Sequence, residues 1–368
     1  MSGVAGAGIA VEALTLTLGA FRLDAVDFAL SAGEILVVLG PNGAGKSVTL
    51  ETIAGFHRPE SGSVWIDGRD VTALAPEARH IGFVVQNFGL FPHLTAEGNV
   101  AIARRHATHF NAAFKDAALP GAGDIAALLD YFGVAPLARR MPADLSPGEK
   151  QRVALARALV AAPQVFLFDE PFSALDTQTR AQLRGELKSF LRALAVPAIF
   201  VTHDHDDALA LADKVAVLRG GAIVQYGPAQ DIFRAPVNAF VARFVGVDNV
   251  LDGRIVAMAA GMATVQVGRT TLRAKLPPHA VVPGEAVQLA IRAEEVAIAP
   301  PAGAPGDNRL DGTVTGLQER GPLVAVALDC GFLLKAYVLA PQARGLGLRI
   351  GDAVAAAIAA EAVHLMRA

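Results

Sequence analysis

A chain of 368 residues with 53% hydrophobic side chains can bury two or three cores rather than one. Its 32 Lys and Arg against 35 Asp and Glu leave a net charge of −3, so it presents neither a basic face for nucleic acid nor an acidic tail. The single Cys330 excludes a disulfide framework and a cysteine zinc site, and fits a reducing, cytoplasmic setting.

In chain order, the opening MSGVAGAGIAVEAL lacks the basic residues and apolar core of a signal peptide, so export is not expected. The apolar runs ILVVL (35–39), VFLF (165–168) and AIFVT (198–202) fit short strands buried on both faces of a parallel sheet. Between them lie helical patterns. KSVTLETIAGF is stopped by Gly55, GEKQRVALARALVAA by Pro163, and TRAQLRGELKSFLRAL by Pro197. Strand and helix alternate, so the first 235 or so residues read as an α/β domain, bounded as 1–240. Mean hydropathy is +0.41, but alanine supplies much of it, and charges interrupt every apolar run before the roughly 18 residues a membrane helix needs.

After Asn249 the texture changes to β-like pieces: GRIVAM, MATVQVG, VQLAIR, GTVTGL, LVAVALD, FLLKAYVL and AVAAAIAA. PPAGAPGD at 300–307 splits this region, and the halves open alike (NVLDGRIV, NRLDGTV) and close alike (VPGEAVQLAIRAEEVAIA, RIGDAVAAAIAAEAVHLM). That is an internal repeat of about 60 residues, read as two small β-barrels over 248–300 and 307–368.

Gly40-Pro41-Asn42-Gly43-Ala44-Gly45-Lys46-Ser47 satisfies the G-x-x-x-x-G-K-[S/T] pattern directly after ILVVL and opens a helix. Glycines let the backbone wrap a phosphate, and the helix N-terminus aims N–H groups and a positive dipole at it. Lys46 is suited to neutralise the β and γ phosphates of a nucleotide, and Ser47 to offer its hydroxyl to Mg2+. The alternative is a glycine turn that merely joins strand to helix.

The strand VFLF delivers Asp169 and Glu170 at its C-terminal end, where ligands bind in open α/β sheets. Asp169 is suited to hold Mg2+ through its water shell, and Glu170 to take a proton from attacking water. The alternative is a strand end followed by a turn. SALD at 173–176 reads as a polar turn with Asp176 as a helix cap. His203 ends AIFVT, from where its imidazole could bond a γ-phosphate and hold Glu170 and the water in line. Asp204, Asp206 and Asp207 suit a helix start, with His205 as a solvated neighbour.

LSPGEKQRVALARAL at 145–159, with the phosphate loop before it and FLFDEP after it, resembles the signature region of ABC-transporter ATPases. The resemblance covers about residues 10–240. It implies a P-loop NTPase fold with a helical subdomain, ATP and Mg2+ as ligands, and a homodimer packed head to tail. Ser146 and Gly148 of one copy would then face the γ-phosphate held by the other. Two positions depart from the usual LSGGQ: Pro147 replaces a glycine and removes an N–H, and Glu149 replaces the glutamine. The same four residues read as a sound helix start, with Ser146 at the N-cap, Pro147 at N1 and Glu149 closing a capping box. Gln86 matches the family's Q-loop glutamine, implied to reach Mg2+ or the attacking water, and NFGLFPHLT (87–95) resembles the surface that receives a permease's coupling helix. Core packing under a loop is the other reading of Phe88, Phe91 and Leu94. Phe21 lies near the point where an aromatic residue stacks on adenine in the family.

The paired barrels resemble the OB-like TOBE, or molybdate-binding-protein-like, domains of importer ATPases. This implies a peripheral subunit on the cytoplasmic face of the membrane, a separate integral permease, and a periplasmic or extracellular substrate-binding protein. LGAFRLDAVDF, GAGKSVTLETIAGF, NFGLFPHLT and LGLRIGDAVAAAIAAEAVHLM resemble molybdate/tungstate importers, which implies an oxyanion cargo and an oxyanion bound at the barrels. Similar barrels accompany sulfate, ferric iron, polyamine and sugar importers. A soluble ABC ATPase of DNA repair or translation would carry two phosphate loops or a coiled coil, and this chain shows one phosphate loop and no sustained heptads. An oxyanion storage protein would not need Lys46, Glu170 and His203.

Overall fold

The computed structural model describes residues 8–106, 124–277, 280–300 and 307–368. The proline-rich 301–306 between the two repeats lies outside the described residues. The chain divides into two compact units, 1–229 and 230–368.

The N-terminal unit opens with β1 (Ile9–Leu18) and β2 (Phe21–Leu30), then β3 (Ile35–Leu39), α1 (Lys46–Ala54), β4 (Ser61–Ile66), β5 (Arg69–Asp70) and β6 (Ile81–Val84). Helices α2 (Ala96–His106), α3 (Ile125–Tyr131) and α4 (Pro147–Val160) follow, then β7 (Val165–Asp169), α5 (Thr177–Leu194), β8 (Ala198–Val201), α6 (His205–Leu211), β9 (Lys214–Arg219) and β10 (Ala222–Pro228). The expected strands and helices form where the apolar runs and stops put them. Gly55 ends α1 in the left-handed conformation at φ 95°, donating to the carbonyls of Glu51 and Thr52, and α5 ends at Leu194, three residues before Pro197.

Two sheets build this unit. A six-stranded sheet runs β10-β9-β3-β8-β7-β6, with every pairing parallel except β10 with β9. β3, β7 and β8 are buried along their whole length, as unbroken apolar runs require when both faces are covered. The second sheet, β2-β1-β4-β5, is antiparallel. No apolar run announced it: IAVEALTLTL and FRLDAVDFAL alternate, and Ala13 and Ala25 stand at φ 45° and 46° where the register of β1 and β2 slips. Behind the parallel sheet's site edge, Phe168 stacks on Phe200 with ring centroids 4.3 Å apart, and Phe172 lies 6.3 Å from Phe200. Such pairs contribute about 0.5–1.5 kcal/mol each beyond their buried area.

The C-terminal unit starts with the short helices α7 (Ala229–Arg234) and α8 (Ala239–Phe244). Ten strands follow: β11 (Asn249–Ala259), β12 (Met262–Val267), β13 (Thr270–Lys275), β14 (Ala286–Ile291) and β15 (Ala297–Ala299) from the first repeat, then β16 (Asn308–Arg320), β17 (Leu323–Asp329), β18 (Leu333–Leu339), β19 (Ala353–Ile358) and β20 (Val363–Arg367) from the second. Helix α9 (Ala340–Leu346), entered through Pro341 at its first turn and closed by Gly347 at φ 64°, interrupts the second repeat.

The repeats do not close on themselves. One sheet is β13-β12-β11-β14-β20 and the other β15-β19-β16-β17-β18, so each repeat ends by adding its last strand to the other's sheet. β20 runs antiparallel to β14 with Val363 opposite Ile291, and β15 antiparallel to β19 with Ala297 opposite Ala357. The crossings are the single turns at Ala293–Glu295 and Ala360–Ala362, which occupy matching places in the two closing motifs. About 60 residues bury only a marginal core alone, and the exchange merges both into one cluster that runs from Ile255 and Leu289 to Val326 and Leu365.

Buried asparagines fasten the exchange. Asn249 donates to the Lys335 carbonyl at 2.9 Å and accepts from the Lys335 N–H at 2.7 Å, on β18 of the other repeat. Asn308 does the same to Arg273 on β13, at 2.9 and 2.6 Å. These are the first residues of the two N-x-L-D-G motifs.

Candidate active site

Four adjacent parallel strands, β3, β8, β7 and β6, end on one edge of the sheet, and each hands a different polar group to that edge. β3 leads into the phosphate loop, β8 into His203, β7 ends at Asp169 before Glu170, and Gln86 follows β6 by two residues. Strand order therefore gathers groups that are up to 163 residues apart in the chain.

Two positions of the loop between β3 and α1 leave no room for a side chain. Gly45 stands at φ 101°, and a Cβ there would lie 2.4 Å from Cζ of Phe21. At Gly40 a Cβ would lie 2.5 Å from the Leu218 carbonyl oxygen. Because Gly45 is the N-cap, no side chain caps α1, and the N–H groups of its first turn have no acceptor within the helix. Helices α4, α5 and α6 carry side-chain caps at Ser146, Asp176 and Asp204. The head of α1 is thus left open toward an anion. Lys46 is buried, and its ammonium donates to the loop's own carbonyls at Gly40 (2.8 Å) and Pro41 (3.1 Å). Burial pushes its pKa down, while Glu170 and Asp169 hold it up.

Asp169 is 8% exposed, and its Oδ1 has no hydrogen-bond partner. Burial raises its pKa, opposed by the hydroxyl of Ser47. A buried carboxylate oxygen without a partner, beside a serine hydroxyl at the head of the phosphate loop, is a donor set that fits a hard divalent cation.

Glu170 takes φ 45°, a conformation that costs a residue with a Cβ about 1 kcal/mol or more. Its N–H donates to the Val201 carbonyl at 2.9 Å and its carbonyl accepts from Ser173. So held, its Oε1 lies 3.1 Å from Nδ1 of His203, and its Oε2 accepts from Nε2 of Gln86 at 3.3 Å. The glutamate is mostly sheltered, whereas Gln86 and His203 are exposed.

Ser146 and Gly148 stand apart from this group: among the described residues, no hydrogen bond joins them to the phosphate loop. The predicted capping box is present, with the Ser146 N–H donating to Glu149 at 2.7 Å, which holds the Glu149 carboxyl below its usual range. Ser146 and Pro147 are exposed. Phe21 is half-buried, beside Gly45 and packed in part against the core of the N-terminal unit. His205, expected to be solvated, is half-buried, and burial lowers its pKa.

Two site-supporting residues escaped the sequence reading. Asn99 is fully buried in α2. Its side chain accepts from the Phe91 N–H at 2.7 Å and donates to the carbonyls of Phe91, Leu94 and Thr95, each at 3.1 Å, which shapes the FPHLT loop. Nothing in the sequence marks it. Arg157 on α4 holds the carbonyls of Phe88 and Gly89. Its signal was a lone cation in VALARALV.

An open-headed phosphate loop and a glutamate poised on the same sheet edge define a P-loop nucleotide hydrolase. Residues 23–173 match the ABC transporter family model, and residues 289–366 match that of the TOBE domain. The molybdate/tungstate import ATP-binding protein WtpC of Pyrococcus horikoshii is 35% identical over 96% of this chain and 99% of its own. The Fe(3+) ions import ATP-binding protein FbpC of Brucella abortus is 37% identical over 82% of this chain and 83% of its own. Among solved structures, a dimeric ATP-binding cassette in a post-hydrolysis state, bound to ADP and Pi, is similar with a TM-score of 0.51 and 28% identity, over 60% of this chain and 98% of that one. The chain belongs to the ABC transporter family, as an ATP-binding subunit with ATPase activity and a C-terminal TOBE domain.

Proposed function

We propose that this chain energises an importer for molybdate or tungstate, as a homodimer on the cytoplasmic face of the membrane beneath a separate permease. The observation that carries the catalytic part is the Glu170 carboxylate held between His203 and Gln86 on the edge that bears the phosphate loop. In this reading the first-turn amides of α1 and Lys46 bind the β and γ phosphates of ATP, the Lys46 ammonium leaving the carbonyls of Gly40 and Pro41 to do so. Ser47 and Asp169 would hold Mg2+, with Gln86 in reach, and the ion would neutralise charge on the phosphate oxygens when bound. Glu170 accepts the proton of the attacking water, and His203 fixes the carboxylate that does so. Ser146, exposed at the head of α4, and Gly148, half-buried two residues on, would meet the γ-phosphate bound by the partner copy.

Among the described residues no helix is long and apolar enough to cross a membrane, and in this reading the cargo path belongs to a separate permease chain. An apolar groove of about 540 Å3 on the N-terminal unit, lined by Phe56, Phe83, Phe91, Ile102 and Arg157, supports docking of a permease segment there. The cargo reading is supported by a relative that matches nearly end to end, the C-terminal unit included. Uptake measurements test it. Host cells deleted for this chain should lose most uptake of radiolabelled molybdate while retaining that of iron and sulfate. Loss of iron or sulfate uptake with molybdate unaffected would replace the cargo.

A further inference from the structure

Helix α4 carries the signature serine at its head and, eleven residues on, a cation whose target is the backbone beside Gln86. At the roughly 1.5 Å rise of an α-helix, Ser146 and Arg157 are about 16 Å apart on one rigid rod. The Arg157 guanidinium donates through Nη2 to the carbonyl of Phe88 at 2.8 Å, and through Nη1 to that of Gly89. Those two carbonyls face it because both residues are left-handed, at φ 62° and 57°. For phenylalanine that conformation is unfavourable and persists only where something holds it.

The turn so held contains Gln86. The Phe88 N–H donates to the Val85 carbonyl at 2.9 Å, so Gln86 sits inside a turn anchored at one end by β6 and at the other by Arg157. There is little slack: a Cβ on Gly89 would lie 2.9 Å from Cγ2 of Val85 and 3.3 Å from Nη2 of Arg157. The guanidinium also lies 5.8 Å from the centroid of Phe91, on the wall of the apolar groove, and burial lowers its pKa. Among the described residues no acidic side chain pairs with it, so its charge is directed at backbone oxygens.

We infer that Arg157 is a positioning residue for ATP hydrolysis: it locks the Gln86 turn to the signature helix, so that the Gln86 amide meets Glu170 only when that helix is correctly placed. Force on the head of α4 or on the Phe91 groove then reaches Glu170 through one side chain. The inference rests on the proposed roles of Gln86 and Glu170.

The test is a set of four full-length proteins: wild type, Arg157→Met, Gln86→Ala and the double variant, with steady-state turnover of MgATP measured for each. Arg157→Met keeps the length and apolar stem of the side chain and loses both donors. Its kcat is expected to fall about tenfold to a hundredfold, the scale of a misplaced catalytic group, with KM for MgATP within twofold of wild type. On the Gln86→Ala background the same substitution should lower kcat no further, since Arg157 acts through that amide. Arg157→Lys, which still presents an ammonium to the carbonyls, should recover a substantial part of the rate. Unchanged kcat in Arg157→Met would overturn the inference, as would equal losses on both backgrounds, or a rise in KM with a fall in melting temperature that lysine fails to restore. Wild-type protein that failed to turn over MgATP would instead sink the proposed catalytic roles themselves.

Discussion

Buried polar groups are treated in opposite ways at the clasps of the C-terminal unit and at the site edge of the N-terminal sheet. In the C-terminal unit Asn249 and Asn308, each 3% exposed, engage both amide ends with the backbone of the opposite repeat. At the nucleotide site Asp169 is also buried, yet one of its oxygens has no partner, and its neighbour Glu170 is held in an unfavourable backbone conformation. The difference separates polarity that specifies a fold from polarity kept ready for a ligand. A filled amide fixes which strand pairs with which. An unfilled carboxylate weakens the ligand-free protein and marks where binding is to occur.

The sharpest break in this comparison is Glu170→Gln. Removing the proposed base while keeping the side chain's shape should cut ATP turnover by about 10²–10⁴-fold. Nucleotide affinity should persist, so that an ATP-bound dimer accumulates in size-exclusion chromatography with MgATP. Turnover at the wild-type rate would remove Glu170 from its role. Next in size is Asn249→Ala, which removes the partner of the Lys335 N–H and carbonyl in a part-buried setting. Each unmet group costs about 1–3 kcal/mol, so denaturant unfolding should register a loss of at least about 2 kcal/mol in the C-terminal unit, with ATP hydrolysis little altered. The equivalent change at Asn308 should lose a similar amount, because the two clasps are repeats of one another.

How much of this could be read from the chain follows the same division. The phosphate loop, the Asp169-Glu170 pair and His203 were legible because each follows an unbroken apolar strand, and short motifs carry their chemistry locally. Gln86 was legible only through resemblance, since one amide after a strand has no chemistry of its own. The strand order that brings it to Glu170 is a tertiary fact. The repeat was visible in NVLDGRIV and NRLDGTV, but its strand exchange was not. β15 and β20 have the same period whichever sheet they join, and only three-dimensional closure decides the pairing. Helix α9 and strand β13 went unseen for a related reason: APQARGL and TTLRAK are short, and neighbours rather than propensity fix their state.

Smaller effects belong to the signature head, where polarity is satisfied locally yet exposed. Ser146→Ala removes the acceptor for the Glu149 N–H and should lower stability by about 1 kcal/mol, read by thermal melting. Pro147→Gly should be close to neutral for folding, but it restores an N–H at the exposed head of α4 and should tighten ATP-driven dimerisation. Identical dimerisation in that variant would show that the proline withholds nothing from the partner's nucleotide.

The last prediction concerns Asp169 alone and has the opposite sign to the rest. Burial holds its folded-state pKa above that of the unfolded chain, so between the two values the folded protein binds more protons than the unfolded one. Stability of the ligand-free protein must therefore fall as pH rises through that window, and the loss is complete once pH exceeds the folded value. Asp169→Asn cannot ionise, so it should melt a few degrees higher than wild type at neutral pH and converge with it in acid, as measured by thermal melting across pH without nucleotide. With Mg2+ and ATP the order should reverse, because the cation meets the carboxylate that was left unpartnered while the amide offers it no charge. A variant that melted below wild type under both conditions would place Asp169 with the asparagine clasps, among groups that hold the fold together.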